Sequence, residues 1–206
     1  MILKVCGLND VENIRTVEGM KGVTHTGFIF VQNSPRNALS LIEIPEKREG
    51  VKRVGVFMNP EVKEVILCAK RFHLDIVQLH GDEAPELCSE ISAFAEVWKA
   101  IGIASADDFA KIDQYLPFCT AFVLDKKTPL GGGSGEQYNW QLLSNYQFHI
   151  PFLLSGGIAA TDAARLAALK HNKCVGYDIN SRFEVSPGIK DARAINLFIE
   201  QLEQNK

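Results

Sequence analysis

The chain lacks the features that mark several large functional classes. It has no basic surplus: 22 Lys and Arg stand against 25 Asp and Glu, a net charge of −3, where a dedicated nucleic-acid binder would carry a basic face. It has no apolar run long enough to span a bilayer, and Met1-Ile2-Leu3-Lys4-Val5-Cys6 is interrupted too soon for a signal peptide. Its five cysteines, Cys6, Cys68, Cys88, Cys119 and Cys174, are odd in number and no two fall at CxxC spacing. Neither a disulfide framework nor a Cys-based zinc site is therefore indicated. No HxH or HExxH pattern is present, and no repeat or low-complexity tract. These absences leave a protein with reduced thiols, expected in the cytoplasm, with no nucleic-acid or membrane partner. What remains is a core-forming composition, 46% hydrophobic and 23% charged over 206 residues, most simply one domain.

The dominant pattern is alternation. Apolar strand-like runs are expected at Ile2–Cys6, Thr26–Val31, Val51–Phe57, Asp75–Leu79, Glu96–Ile101, Thr120–Leu124, Pro151–Leu154 and Cys174–Ile179. Between them fall helical stretches. Asp10 caps one running to Met20, with Val11, Ile14, Val17 and Met20 at helical spacing. A short one is expected over Ala38–Glu43, and another from Asn59-Pro60 to Phe72, with Pro in its first turn. Further helices are expected over Glu83–Phe94, Ser105–Tyr115, from Trp140, over Thr161–Leu169 and over Asp191–Gln204. Strands apolar on both faces that alternate with helices imply a parallel sheet. Eight such units suit a single closed (β/α)8 TIM barrel with short loops, spanning residues 1–206. The competing architecture, a doubly wound open sheet, usually carries a Gly-rich fingerprint after its first strand, and Cys6-Gly7-Leu8 is not one.

A barrel turns all strand C-terminal ends toward one mouth. That would gather Cys6, Arg36, His80, Asp125, Gly156 with Gly157, and Asn180 with Ser181. Ser155-Gly156-Gly157 precedes a helical stretch, where glycine admits close backbone approach and a helix N-terminus favours an anion. Asn180-Ser181 follows the eighth strand in the same way, and phosphate sites of such barrels lie after strands seven and eight. Taken singly, each residue has a plainer reading. Cys6 reads as an inert buried thiol or as a thiolate base, and Arg36 as a solvated loop residue or a fork for a substrate carboxylate. His80 reads as a polar wall residue or a second proton carrier. Asp125 reads as an ordinary surface acid before a glycine-rich loop or as a proton donor. One group that gives a proton and one that takes it is the minimum for an isomerase.

At these residues the chain resembles the phosphoribosylanthranilate isomerases of tryptophan biosynthesis. The matching pieces are Lys4-Val5-Cys6-Gly7, Phe28 to Phe30 with Ser34-Pro35-Arg36, Val54-Gly55-Val56-Phe57 and Gln78-Leu79-His80-Gly81. They continue through Asp125 with Gly132-Gly133-Ser134-Gly135, Leu154-Ser155-Gly156-Gly157, and Asp178 to Ser181 with Ser186-Pro187-Gly188-Ile189-Lys190-Asp191. The resemblance implies a (β/α)8 barrel that performs an Amadori rearrangement of N-(5′-phosphoribosyl)anthranilate, a small phosphorylated substrate. It implies Asp125 as general acid and Cys6 as general base. Arg36 would hold the anthranilate carboxylate, and the Gly156/Gly157 and Asn180/Ser181 loops the phosphate. His80, Gly133 and Asp178 would join the substrate-binding set. No metal and no organic cofactor is expected, since one acid and one base suffice, and both a monomer and a homodimer stay open. The sequence departs from the family after the eighth strand, where Asn180-Ser181-Arg182-Phe183-Glu184 replaces the common Ser-Ser-Gly-Val-Glu. Arg182 would then contact the phosphate or point to solvent.

Other classes share parts of this pattern. An indole-glycerol-phosphate synthase would want lysines at strand ends, of which only Lys4 and Lys99 are in sight. The sugar isomerase of histidine biosynthesis would want a carboxylate where Cys6 stands. A non-catalytic phosphate-binding barrel would keep the glycines but need neither Cys6 nor Asp125.

Overall fold

A computed structural model describes residues 1–128 and 137–205. Eight strands close into a barrel in sequence order: β1 (Ile2–Cys6), β2 (His25–Ile29), β3 (Lys52–Phe57), β4 (Ile76–Leu79), β5 (Glu96–Ile103), β6 (Ala121–Lys126), β7 (Phe152–Leu154) and β8 (Cys174–Ile179). Every neighbouring pair is parallel, and β1 closes the ring on β8 with Lys4 opposite Asp178 and Val5 opposite Ile179. The expected architecture is the one found.

Period-two alternation sorts each strand between two cores. Val54, Ile76, Trp98, Ala100, Ala121, Val123 and Leu153 fill the barrel interior. Their neighbours, among them Val77, Val97, Phe122, Leu124 and Phe152, face outward into the larger core under the helices. The same alternation carries the inner face upward from Ala121 and Val123 to Asp125, from Ile76 through Gln78 to His80, and from Lys4 to Cys6. Polar groups are thus delivered to the mouth by strands whose lower residues are packed.

The outer layer is less regular than the sequence suggests. The helices are α1 (Val11–Glu18), α2 (Val62–Phe72), α3 (Pro85–Ser92), α4 (Ala163–Ala167) and α5 (Ala192–Gln204). Asp10 caps α1 as expected, its carboxylate accepting from the Asn13 N–H at 2.8 Å, and Asp191 caps α5 through Arg193 and Ala194. The helix expected over Ala38–Glu43 does not form. There the Asn37 side chain accepts from the Leu39 N–H at 2.9 Å, an Asx turn that competes with helix. Ala38 donates instead to Ile29, and Arg71 of α2 bonds the Leu39 and Leu41 carbonyls. The connections after β5 and β6 are 3-10 helices, Ala106–Tyr115 and Trp140–Asn145. The stretch after β7 is a 3-10 turn, Ala160–Asp162, leading into the five-residue α4. A two-stranded antiparallel ribbon, β9 (Glu184–Ser186) with β10 (Ile189–Lys190), follows β8.

One buried ion pair ties α1 to the barrel wall. Arg53, on the outward face of β3, meets both oxygens of Glu18 at 2.7 and 3.0 Å and also bonds the Pro45 carbonyl. Among the described residues, no helix is long and apolar enough to cross a membrane.

Candidate active site

Cys6 is the last residue of β1 and is 5% exposed. The chain turns immediately after it. Gly7 takes φ +79°, and a Cβ there would stand 2.8 Å from both the Arg36 Cδ and the Asn180 Oδ1. Only glycine therefore lets the thiol, the guanidinium and the β8 loop crowd together. Gly27 of β2 packs so closely that an added Cβ would come within 2.7 Å of the Cys6 Sγ. Burial pushes the Cys6 thiol up from its ordinary value. The Lys4 and Lys190 ammonium groups pull against that, and Asp178 adds to it.

Asp125 is the penultimate residue of β6, since the strand runs one residue past it to Lys126. Its Oδ1 accepts from the Lys126 N–H at 2.7 Å, and its Oδ2 lies 3.5 Å from the His80 Nε2. The Nδ1 of His80 meets the Gln78 Nε2 at 3.0 Å. The His80 ring is thus held between Gln78 on one side and Asp125 on the other. A cleft of about 390 Å³ opens here, lined by His80, Asp125, Lys126, Lys127, Met58 and Asn59.

Two strands round from β6, Asp178 of β8 is 6% exposed and its Oδ2 accepts from Lys4 at 2.8 Å. Its Oδ1 is buried with no hydrogen-bond partner among the described residues. Burial pushes this carboxyl up, and Lys4 opposes the rise.

Arg36 does not stand free. Glu184 grips it through two oxygens, with Nε at 2.9 and 3.0 Å and Nη2 at 2.7 Å. Glu184 also accepts from Lys190 at 2.6 Å and from the Gly188 N–H at 3.1 Å. Burial works to raise the Glu184 carboxyl, but Arg36 and Lys190 hold it below its usual range. Lys190 in turn donates to the Asn180 Oδ1 at 2.7 Å, and the Asn180 carbonyl accepts from the Phe183 N–H at 3.0 Å.

Gly156 and Gly157 follow β7 with φ +89° and +63°. Gly156 lies against the acid of β6, and Gly157 accepts from the Gln137 Nε2 at 3.1 Å. The Asp162 carboxylate takes the Ala159 N–H at 2.8 Å. Among the described residues, the N–H groups of Gly156, Gly157 and Ser181 have no hydrogen-bond partner. Arg182 is exposed at the rim. Gly133 lies outside the described residues.

The structure thus gathers Cys6, Arg36, His80, Asp125, Gly156, Gly157, Asp178, Asn180 and Ser181 around one mouth. Sequence reasoning left out Glu184, Lys190 and Lys4 as working residues, although Lys4 and Lys190 stand in matched motifs and Glu184 closes the segment that departs from the family. Lys99 of β5, the second lysine weighed for a lyase, lines the same cleft as His80 and Asp125. It pairs with Glu83 at 3.1 Å and donates to the Gly81 and Ala100 carbonyls at 2.8 and 2.9 Å. Among the described residues, no three His, Cys, Asp or Glu side chains are grouped to hold a metal ion.

The fold and its mouth define a class: a (β/α)8-barrel enzyme whose polar side chains sit at the C-terminal ends of the strands. Residues 3–201 match the family model of N-(5′-phosphoribosyl)anthranilate isomerase. The chain belongs to that family. It is similar to the N-(5′-phosphoribosyl)anthranilate isomerase of Phocaeicola vulgatus, with 39% identity over 99% of this chain and 98% of that protein. It is also similar to the crystal structure of the phosphoribosyl anthranilate isomerase of Thermotoga maritima, with 30% identity, a TM-score of 0.84, and coverage of 99% of this chain and 100% of that one. A further crystal structure of the isomerase, in complex with reduced 1-(o-carboxyphenylamino)-1-deoxyribulose 5-phosphate, has 27% identity and a TM-score of 0.82, covering 99% and 100%.

Proposed function

We propose that this barrel converts N-(5′-phosphoribosyl)anthranilate to 1-(2-carboxyphenylamino)-1-deoxyribulose 5-phosphate, the isomerisation its family performs in tryptophan biosynthesis, with Asp125 as acid and Cys6 as base. Asp125 gives its proton to the ribose ring oxygen as the C1′–O bond breaks. The anthranilate nitrogen lone pair forms the C1′=N bond, leaving a protonated Schiff base. The Cys6 thiolate then removes the C2′ proton. The released electron pair forms C1′=C2′ and neutralises the nitrogen, giving an enolamine. Loss of the C2′ hydroxyl proton and protonation at C1′ complete the ketone.

The other groups bind. The Arg36 Nε and one Nη2 proton are committed to Glu184, which leaves three guanidinium N–H donors for the anthranilate carboxylate. The backbone N–H groups of Gly156, Gly157, Asn180 and Ser181 suit the phosphate, and Gly133 belongs to the same set by family likeness. The partnerless Oδ1 of Asp178 suits a sugar hydroxyl. His80 holds and orients Asp125.

The observation that carries this reading is the pairing of a buried thiol at the end of β1 with a carboxylate at the end of β6, in a chain that matches the isomerase family over residues 3–201. A lyase-type barrel reading gains no support from Lys99, which is engaged by Glu83 and by backbone carbonyls. The test is turnover: loss of substrate fluorescence on adding purified protein to N-(5′-phosphoribosyl)anthranilate. Absence of turnover at saturating substrate would overturn the assignment.

A further inference from the structure

We propose that Lys4 is a positioning residue for the proton abstraction, a fixed ammonium group beneath Cys6 that favours the thiolate. The proposal rests on the reading of Cys6 as the base. Lys4 and Cys6 are two residues apart on β1, so both face the barrel interior. The Lys4 side chain is fully buried. Its hydrogen bond to Asp178 at 2.8 Å crosses the seam that closes the barrel, and the Cys6 thiol is its next electrostatic partner.

A buried Lys–Asp pair is poor value as a stabilising device, because desolvation offsets most of its Coulomb energy and apolar side chains of similar size would pack at least as well. The interior also holds the apolar cluster of Val54, Ile76, Ala121 and Val123, with His25 of β2 opposite Lys4 and stacked on Trp98. An ammonium group at this one place calls for another reason, and the surrounding charges supply it. Lys4 of β1, Asp178 of β8 and Lys190 of β10 act on the thiol directly, while Glu184 of β9 and Arg36 reach it through Lys190. From β2 only the backbone of Gly27 faces it. His80 of β4 and Asp125 of β6 act on Asp178. Around Cys6 itself, three cations meet two carboxylates. Both ammonium groups that act on the thiol directly, Lys4 and Lys190, favour its ionised form.

Cys6 chemistry is read by the pH dependence of kcat/KM and, without turnover, by the rate of iodoacetamide alkylation at Cys6 against pH, followed on the Cys6 peptide. Lys4→Met should move both acid limbs to higher pH by about one unit, roughly a tenfold loss of thiolate at fixed pH below the limb. Asp178→Asn, which keeps Lys4 and removes its counter-charge, should move the alkylation limb to lower pH. A purely structural pair would not shift the thiol in opposite directions in the two variants. Unmoved limbs in Lys4→Met overturn the proposal. If Lys4→Met does not fold, an alkylation limb in Asp178→Asn that stays in place or rises overturns it. Cys6→Ser separates the two readings: if that variant keeps wild-type kcat, the base assignment itself fails. If it is inactive while Lys4→Met keeps the wild-type profile, only the role of Lys4 fails.

Discussion

Gly156 presses on Asp125: a Cβ at Gly156 would stand 2.8 Å from the Asp125 Oδ1 and 2.9 Å from the Lys126 nitrogen that bonds it. The loop after β7 thus forms one wall of the position held by the acid of β6. Gly156→Ala should lower kcat by roughly 10²-fold, the scale of a 1 Å misplacement of a reacting group. The residue also sits at φ +89°, so alanine brings backbone strain of about 1 kcal/mol. Gly50→Ala isolates that strain, because Gly50 has φ +82° with nothing within 4 Å of the added carbon. Both variants should lose thermal stability, and only Gly156→Ala should lose kcat. Equal kcat in the two would remove the steric link to Asp125.

Cys6→Ser and Asp125→Asn should each lower kcat by at least about 10²-fold, the lower end of general acid–base contributions. Serine is far too weak an acid to supply base at neutral pH, and asparagine has no proton of the required acidity. Thermal unfolding should remain native-like in both, since neither side chain belongs to the interior apolar cluster. Near wild-type kcat in Asp125→Asn would transfer the acid role to His80, whose Nε2 lies 3.5 Å away.

Arg36→Ala should raise KM more than it lowers kcat. The proposed contact is to a carboxylate that does not react, so it is nearly equal in ground and transition states. The Glu184 grip makes this cleaner to measure, because the orphaned carboxylate keeps Lys190 at 2.6 Å and the Gly188 N–H at 3.1 Å. An unchanged KM with a large fall in kcat would place Arg36 in the chemical step.

The barrel was legible because its strands advertise themselves. Cys174–Ile179 and Ile2–Cys6 coincide with β8 and β1 to the residue, the first bounded by Lys173 and Asn180 and the second ended by Gly7. Cys6, His80 and Asp125 were legible for the same reason, as polar residues at or beside strand ends that a parallel barrel must collect. The helix layer was harder. Ala38–Glu43 has helical spacing, but Asn37 and the guanidinium of Arg71 satisfy its backbone locally. Glu184 and Lys190 stayed hidden because their meaning lies in partners remote in sequence: Glu184 bonds Arg36 across 148 positions. Lys4 lay in plain view within an apolar strand. Its pairing with Asp178 emerges only when β8 closes against β1.

His25 gives the molecule a pH-dependent stability that is separate from the mouth. It starts β2 at the far end of the barrel, 7% exposed, with its ring 5.4 Å from Trp98 and its Nδ1 2.9 Å from the Thr24 hydroxyl. Burial, with Lys52 and Lys4 adding to it, lowers its pKa from 6.5 to about 4, against the opposing pull of Glu96 and Asp75. Between those values the unfolded chain binds a proton that the folded chain refuses, so stability rises with pH across the window and is lost on acidification. One proton corresponds to about 1.4 kcal/mol per pH unit, so the passage from pH 7 to pH 5 should cost roughly 2 kcal/mol through this residue. His25→Gln, which keeps a polar side chain and cannot charge, should lose correspondingly less stability over the same interval. Urea unfolding of the two proteins at pH 7 and pH 5 measures the difference. Equal losses in wild type and variant would show that His25 is not held neutral by the fold.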